Sequence, residues 1–465
     1  MTPDIIEARE RPQAEFLQKT IQTLLDGHSD WQRWMPAYDE DASLSVTPEQ
    51  WDTALKDFQE RLKDNYPFFH PLYAGQMLKP PHPAAVAGYL AAMLINPNNH
   101  ALDGGPATAR MEKECIETFA KQFGFQNHLG HLTSGGTVAN LEALWVSREI
   151  HPGKKIAFCE NAHYTHGRMS KVLGVETCKI PATPSGVMNV DALEDLLKTN
   201  SIGTVVVTLG TTALGAIDPL GEILKLRQQY GFRIHVDMAY GGYYHVLKHL
   251  PEFKAFGFVK EADSIVIDPH KHGLQPYGCG CVIFADPEVG RFYKHDSPYT
   301  YFTSDELHLG EISLECSRPG AAAAALWLTM QLFPLSAETG MGPVLKQSRN
   351  AALAFSKLIK DMPEYHLYLE PTLDIVTFYP DAPDTQAITK KTRMLFHAAM
   401  QSVDYPVYLA TLTVSADDFK ALHASNIEVN TETVTIFRSC LMKPEHLEWV
   451  PRIANFLQHH AKTFV

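Results

Sequence analysis

Between residues 76 and 340, short apolar runs rich in β-branched residues alternate with amphipathic stretches, and no other feature of the chain limits its fold as strongly. The runs are "KIAFCE" from 155, "TCKIP" from 177, "GTVVVTLG" from 203, "FRIHVDMA" from 232, "SIVIDP" from 264 and "GCGCVIFA" from 278. A strand that is apolar at nearly every position must be covered on both faces, and intervening helices supply the cover. The pattern therefore predicts an α/β fold with a mostly parallel sheet covered by helices. After about residue 341 the rhythm changes to "YHLYLEP", "DIVTFYP", "YPVYLATLTV" and "TVTIFRSCLM", interleaved with helices such as "TQAITKKTRMLFHAAMQS". That predicts a smaller α+β domain over 341–465. Residues 1–75 read as a helical arm in which Thr47 caps the second helix.

Composition narrows the class. At 465 residues and 45% hydrophobic, the chain can bury a large core. The net charge of −13 and the lack of any basic block argue against a nucleic-acid partner. The N-terminus, "MTPDIIEARERPQAEF", has charges through its first ten residues instead of the apolar core of a signal peptide, so a cytoplasmic location is expected. Two apolar runs, "PAAVAGYLAAMLI" and "GAAAAALWLTMQLF", fall short of the roughly 20 residues of a membrane-spanning helix and predict buried helices. The second also suits close packing at a subunit interface. Cys279 and Cys281 sit too close together for a metal clip and read as structural, no metal site is expected, and His459 with His460 reads as a solvated helix end.

In an open α/β sheet, ligands gather beyond the carboxyl ends of the strands. Four such ends carry chemistry. "HLTSGGTVANLEALWVSRE" places Ser134, Gly135, Gly136 and Thr137 before a helix whose expected apolar face is Val138, Leu141, Leu144 and Trp145. Small residues there let N–H groups approach a phosphate, although the same turn also serves as a simple cap. "FCENAHYTHGR" supplies His163, either a structural histidine or a flat surface for a planar ligand. "RIHVDMAYGG" ends on Asp237, which as a residue type fits a turn, a metal or a cationic ring nitrogen. "SIVIDPHKHG" delivers Lys271 beside His270, and a desolvated lysine becomes a nucleophile toward carbonyls. A phosphate cradle, a flat histidine, a carboxylate and an amine together are what pyridoxal phosphate (PLP) requires. An ion pair at about 4 Å is worth roughly 4 kcal/mol at an effective dielectric near 20, about three pKa units, enough to keep the pyridine nitrogen protonated.

The ordered set "TSGGTVAN", "NAHYTHGR", "TLGTTALGAIDP", "HVDMAYGGYY" and "IDPHKHG" resembles the group II PLP-dependent amino acid decarboxylases, whose relatives act on glutamate, aspartate, tyrosine and aromatic amino acids. "HPLYAGQM" with "INPNNHALDGGPATARMEKE" is similar to that family's N-terminal substrate-facing region, and "LECSRPGAAAAALW" to its segment after the catalytic loop. The resemblance implies the fold-type I architecture, with a mixed, mostly parallel seven-stranded sheet in the large α/β domain, and a homodimer with shared active sites. It implies that Lys271 forms the internal aldimine, Asp237 pairs with the pyridine nitrogen and His163 stacks on the ring. Ser134, Gly135, Gly136, Thr137 and His270 would hold the phosphate, while Thr208 and Ala239 contact the ring. Two positions depart from the family's pattern: Met238 stands where alanine is frequent, and His272 where a bulky apolar residue is common.

The implied reaction is decarboxylation of an L-amino acid to its amine through a quinonoid intermediate. The acid that returns a proton to Cα would be a loop tyrosine, Tyr301 or Tyr299, within "HDSPYTYFTSDELHLGEISLECSR". Relatives that oxidise the substrate typically change that tyrosine or the stacking histidine, and this chain keeps both. A carbon–carbon lyase, an aminotransferase or a non-catalytic PLP-binding protein remain as alternatives on the same fold. Candidate substrate contacts are Tyr73, Gln76, His82, Asn98, Asn99, His100 and Arg438, a polar lining that does not choose among amino acids.

Overall fold

Each of the six β-branched runs of the large segment becomes a strand in a computed structural model that describes residues 14–294, 307–423 and 427–463. The strands are β1 Leu129–Thr133, β2 Lys155–Cys159, β3 Thr177–Ile180, β4 Ile202–Thr208, β5 Arg233–Asp237, β6 Ser264–Ile267 and β7 Gly280–Phe284. They form one sheet in the order β1-β7-β6-β5-β4-β2-β3. β7 runs antiparallel to both β1 and β6, while the β6-β5-β4-β2-β3 pairings are parallel. The carboxyl ends of β1, β2, β4, β5 and β6 consequently share one edge, which gathers the four motifs.

Alternate residues of each strand enter different layers. Val205, Val207, Ile234, Val236, Ile265 and Ile267 join the largest apolar cluster, whereas Val206 packs with Leu144, Phe158 and Met169. This is the period-two geometry of a strand buried on both faces. Four further strands, β8 Tyr365–Leu369, β9 Ile375–Pro380, β10 Ala410–Ser415 and β11 Thr433–Cys440, make an antiparallel sheet in the order β10-β11-β9-β8. The stretch around Ala74 is stitched to it: Ala74 N–H donates to Tyr408 O, and Cys440 N–H to Ala74 O.

Two local expectations need correction. The helix Gly136–Ile150 buries Ala139, Asn140, Glu142, Ala143, Leu144, Val146 and Ser147, so Val138, Leu141 and Trp145 are not its most buried positions. Small residues let this helix lie close to the sheet, and its buried polar groups find partners there. His459 is exposed, but His460 is only 5% exposed and donates from Nε2 to Tyr405 O at 2.9 Å, so only one of the C-terminal histidines is solvated. The alanine-rich helix Gly320–Leu332 is buried as its apolar run predicts, with Ala321 to Leu326 against the helix Pro83–Met93 and its surroundings.

Elsewhere the local chemistry behaves as its residues demand. Thr47 and Gln50 form a reciprocal capping box at the start of Pro48–Leu62. Cys279 and Cys281 are buried thiols. Among the described residues no helix is long and apolar enough to cross a membrane.

Gly88 marks the closest helix contact. A Cβ built there would meet Ala325 Cα at 2.9 Å and Ala324 O at 3.0 Å, both backbone atoms that cannot step aside alone. Gly88→Val should therefore part the two helices at a cost of about 1–3 kcal/mol. The check is a lower denaturant midpoint at an unchanged slope; an unchanged midpoint would contradict this packing.

Candidate active site

The residues just beyond the five aligned strand ends enclose a cavity of about 520 Å³. Its wall contains Ser134, Gly135, Gly136 and Thr137 after β1, His163 after β2, Thr208 at the end of β4, Asp237 and Ala239 at the end of β5, and His270 with Lys271 after β6. All ten residues expected at the cofactor are thus brought together. Tyr299 and Tyr301 lie outside the described residues.

Asp237 is the electrostatic centre. Its Oδ2 accepts a 2.8 Å hydrogen bond from His166 Nε2–H, and its Oδ1 accepts one of 3.1 Å from Ala239 N–H. Burial pushes this carboxyl up, but the His166 bond and charge, with Lys271 and the Ala239 N–H, outweigh it and hold the group well below the usual carboxylate range. The site thereby keeps a buried negative charge at the end of β5.

A second chain of bonds ties that carboxylate to the glycine turn. Asn140 Nδ2 donates to Gly136 O at 2.8 Å and approaches Asp237 Oδ2 at 3.5 Å. Its Oδ1 must accept from His235 Nε2–H at 2.8 Å, which leaves His235 Nδ1 to accept from the Ser264 hydroxyl at 2.9 Å. Burial lowers His235 to about 3, so the ring stays neutral and its tautomer is set by the amide.

Lys271 Nζ lies 3.1 Å from Asp268 Oδ2, and His270 Nε2 lies 3.6 Å from the same oxygen. His270 donates from Nδ1 to Cys279 O at 2.7 Å, and burial keeps its ring below the ordinary imidazole value. The glycine turn needs its glycines. Gly135 has a φ of +156°, close to the positive-φ region that side chains avoid, and a Cβ on Gly136 would sit 2.6 Å from Asp268 Oδ2. His163 is half-buried, its Nδ1 2.6 Å from Thr165 Oγ1, and burial lowers its proton affinity too.

These groups fit PLP. Thr208 and Asp268 both line the cavity, and the buried Thr208 hydroxyl and Asp268 Oδ1 have no hydrogen-bond partner among the described residues. An amine, an ionised carboxylate and a turn of N–H groups open into one space large enough for a substituted pyridine.

The other candidate residues lie outside this protomer's cavity wall. Asn98 accepts from His100 N–H and Arg318 N–H and donates to Ser317 Oγ, while Asn99 bonds Glu112 and Thr108; both organise a loop. His100 borders Gly310, whose N–H donates to the His100 carbonyl. His82 caps the helix Pro83–Met93. Tyr73 is buried in a ring cluster with Phe68, Tyr66 and Tyr408, and Gln76 is exposed. Arg438 directs donors at Thr212 O, Ala213 O and Gly75 O, bracing a loop whose Thr212 does line the cavity.

Sequence reasoning missed His166, Asn140, Asp268 and Tyr277. His166 is the third residue after His163, a spacing that can put both imidazoles on one side of a helix start. Asn140 stands four residues after Gly136 on the same helix, and Asp268 was in plain view inside "IDPHK". Tyr277, whose ring lies 4.7 Å from His270, had no signal beyond its aromatic character.

A mostly parallel seven-stranded sheet, a small antiparallel domain and this constellation define a PLP enzyme of the fold-type I class. The chain belongs to the pyridoxal-dependent decarboxylases: the family model described as "Pyridoxal-dependent decarboxylase conserved domain" matches residues 35–380. PLP is its cofactor. It is 29% identical to an L-aspartate decarboxylase of Thermococcus kodakarensis over 70% of this chain and 84% of that protein. It is 26% identical to an L-tyrosine decarboxylase of Enterococcus faecium over 74% of each chain. In fold it is similar to Oryza sativa TDC, solved with PLP and tryptamine, with a TM-score of 0.76 at 16% identity over 97% and 99% of the two chains.

His166→Leu tests the electrostatic centre. It leaves Asp237 buried with one donor fewer, at an expected loss of about 3–5 kcal/mol at neutral pH. Because Asp237 titrates below its ordinary value when folded, its contribution is present above about pH 4 and fades as the pH falls through the folded value. The gap between wild type and variant in denaturation midpoint should narrow in acid; a gap independent of pH would mean that the pair is not what holds Asp237.

Proposed function

We propose that Lys271 binds PLP covalently and that the protein decarboxylates an L-amino acid to the corresponding amine and CO2. The observation that carries this reading is that the Lys271 amine and the ionised Asp237 carboxylate, from neighbouring strands, open into one cavity. PLP, when bound, supplies a cationic ring that takes up the electron pair left behind when CO2 departs. Asp237 keeps the ring nitrogen protonated, and its negative charge acts where charge changes most during the reaction. His163 covers one face of the ring, with Thr208 and Ala239 at its edge. Ser134, Gly135, Gly136, Thr137 and His270 hold the phosphate and so fix the angle at which the carboxylate to be lost is presented. A loop tyrosine, Tyr301 or Tyr299, then delivers a proton to Cα.

The same proposal includes a cytoplasmic homodimer with shared sites, built of an arm over 1–75, a cofactor domain over 76–340 and a small domain over 341–465. Support comes from the arm, where the helix Pro48–Leu62 buries none of its residues within the protomer and Trp34, Trp51 and Phe58 are 73%, 61% and 57% exposed. A second copy is the occupant that would cover them. Tyr73, Gln76, Asn98, His100 and Arg438 are proposed to meet the substrate once the site is completed by the partner. L-Aspartate and L-tyrosine are the first substrates to offer, because similar proteins carry those names.

Mass spectrometry of the PLP-loaded protein incubated with a pooled amino acid panel tests the reaction: an amine lighter by CO2 is expected, and none from Lys271→Ala. An intact panel with a loaded Lys271, or a keto acid product, would overturn decarboxylation.

Mixing tests the shared site. Lys271→Ala and the double variant Tyr299→Phe, Tyr301→Phe should each make little amine alone. Refolded together they should regain activity, because one site of each mixed dimer joins an intact lysine to an intact tyrosine. Full amine formation by the double variant, or no recovery on mixing, would remove the tyrosine or the shared site respectively.

A further inference from the structure

His272 directly follows Lys271, and the structure buries its ring completely between Tyr240, 4.7 Å away between ring centres, and Tyr244, at 5.3 Å. Its Nε2 lies 3.3 Å from Oδ2 of Asp374, a fully buried carboxylate one residue before β9 in the smaller sheet. The other oxygen, Oδ1, accepts a 2.5 Å hydrogen bond from the Tyr240 hydroxyl. Tyr240 is part of the cavity wall. The His272–Asp374 approach is close without hydrogen-bond alignment, and neither ring nitrogen of His272 nor Oδ2 of Asp374 has a hydrogen-bond partner among the described residues.

Apolar residues of the same volume would stabilise such a place at least as well, since burying an imidazole and a carboxylate carries a desolvation cost. What the polar pair adds is direction. It joins the residue next to the amine, and the cavity wall, to the residue that leads into β9 of another sheet.

We propose that His272, Asp374 and Tyr240 form a proton-sharing latch between the two sheets that orients Lys271 in the cavity. The proposal rests on the reading of Lys271 as the cofactor lysine. His272 and Asp374 are positioning residues that act through the Lys271 backbone, with no contact to the reacting atoms.

The surroundings make the latch sensitive to protons near neutral pH. Burial pushes Asp374 up to about 6 against the opposing pull of Tyr240 and Lys79. Burial holds His272 well below its ordinary value, with Lys79 and Lys271 adding to that. The charged and titratable groups facing the pair are Lys79 from the segment before Pro83, Lys271, Tyr244, Cys440 of β11 and Arg349 of the helix Met341–Asp361. Above about pH 6 the carboxylate carries its charge beside a neutral imidazole; below it, a shared proton joins them. Lys271 should feel that change as a change in orientation and local field.

The test follows the visible absorption of the cofactor bound at Lys271 as a function of pH, with kcat and KM measured in parallel, in His272→Met, Asp374→Asn and the double variant. Each single variant is expected to move the pH midpoint of the absorption by about one unit. Each should lower kcat roughly tenfold with KM nearly unchanged, as misorientation of a reacting group does. The double variant should go no further than either single one, because the latch acts as a unit, and His272→Gln, which keeps a donor, should restore most of the wild-type midpoint. Unmoved midpoints, or shifts that add, would overturn the latch. If Asp374→Asn does not fold, Tyr240→Phe takes its place, since it removes only the hydroxyl from the carboxylate. A wild-type protein with no visible absorption after loading would instead overturn the Lys271 reading, and the latch with it.

Discussion

The carboxylate of Asp237, kept ionised inside the protein, is the constraint around which the rest of the site is arranged. A bare charge at the end of a buried strand would take up a proton. Here it is held by the His166 imidazole and the Ala239 N–H, with Asn140 at the limit of hydrogen-bond distance. Asn140 in turn fixes the Gly136 carbonyl and the neutral tautomer of His235. The glycine turn after β1 and the Asp237 carboxylate are therefore parts of one hydrogen-bonded structure. Precision in one is precision in the other.

The sheet makes that structure possible. The parallel run from β6 to β3, with β1 returning in the same direction across antiparallel β7, sets six carboxyl ends on one edge. Side chains a hundred residues apart become neighbours without any irregular path through the core. The apolar strands need no polar residue until they leave the sheet, so each strand end can carry chemistry while its interior carries packing.

A second buried polar group, His272 with Asp374 and Tyr240, stands behind the lysine as Asn140 and His235 stand behind Asp237. In both places a polar side chain sits where an apolar one would pack, and in both it fixes the orientation of a neighbour. Buried polar groups of this kind specify geometry more than they stabilise.

Much of this was legible in the sequence because it depends on local pattern. Period-two apolar runs such as "GTVVVTLG" and "FRIHVDMA" must be strands wherever they lie, and glycines, a lysine and an aspartate at their ends announce a ligand. Ser134 to Thr137, His163, Asp237 and Lys271 followed from that rule, and Thr208, Ala239 and His270 from the resemblance; all of them line one cavity. His166, Asn140 and Asp374 followed from neither, because a histidine or carboxylate acquires its role from the atom opposite it, and those partners lie tens to more than a hundred residues away. The buried face of the helix Gly136–Ile150 escaped for the same reason: how closely a helix approaches a sheet is decided by both surfaces, not by its own periodicity. The sequence by itself determined the strands, their class of sheet and the residues at their ends, since these need only neighbours in the chain. Only the tertiary structure decided which buried polar groups meet, because hydrogen-bond partners are chosen by packing in three dimensions.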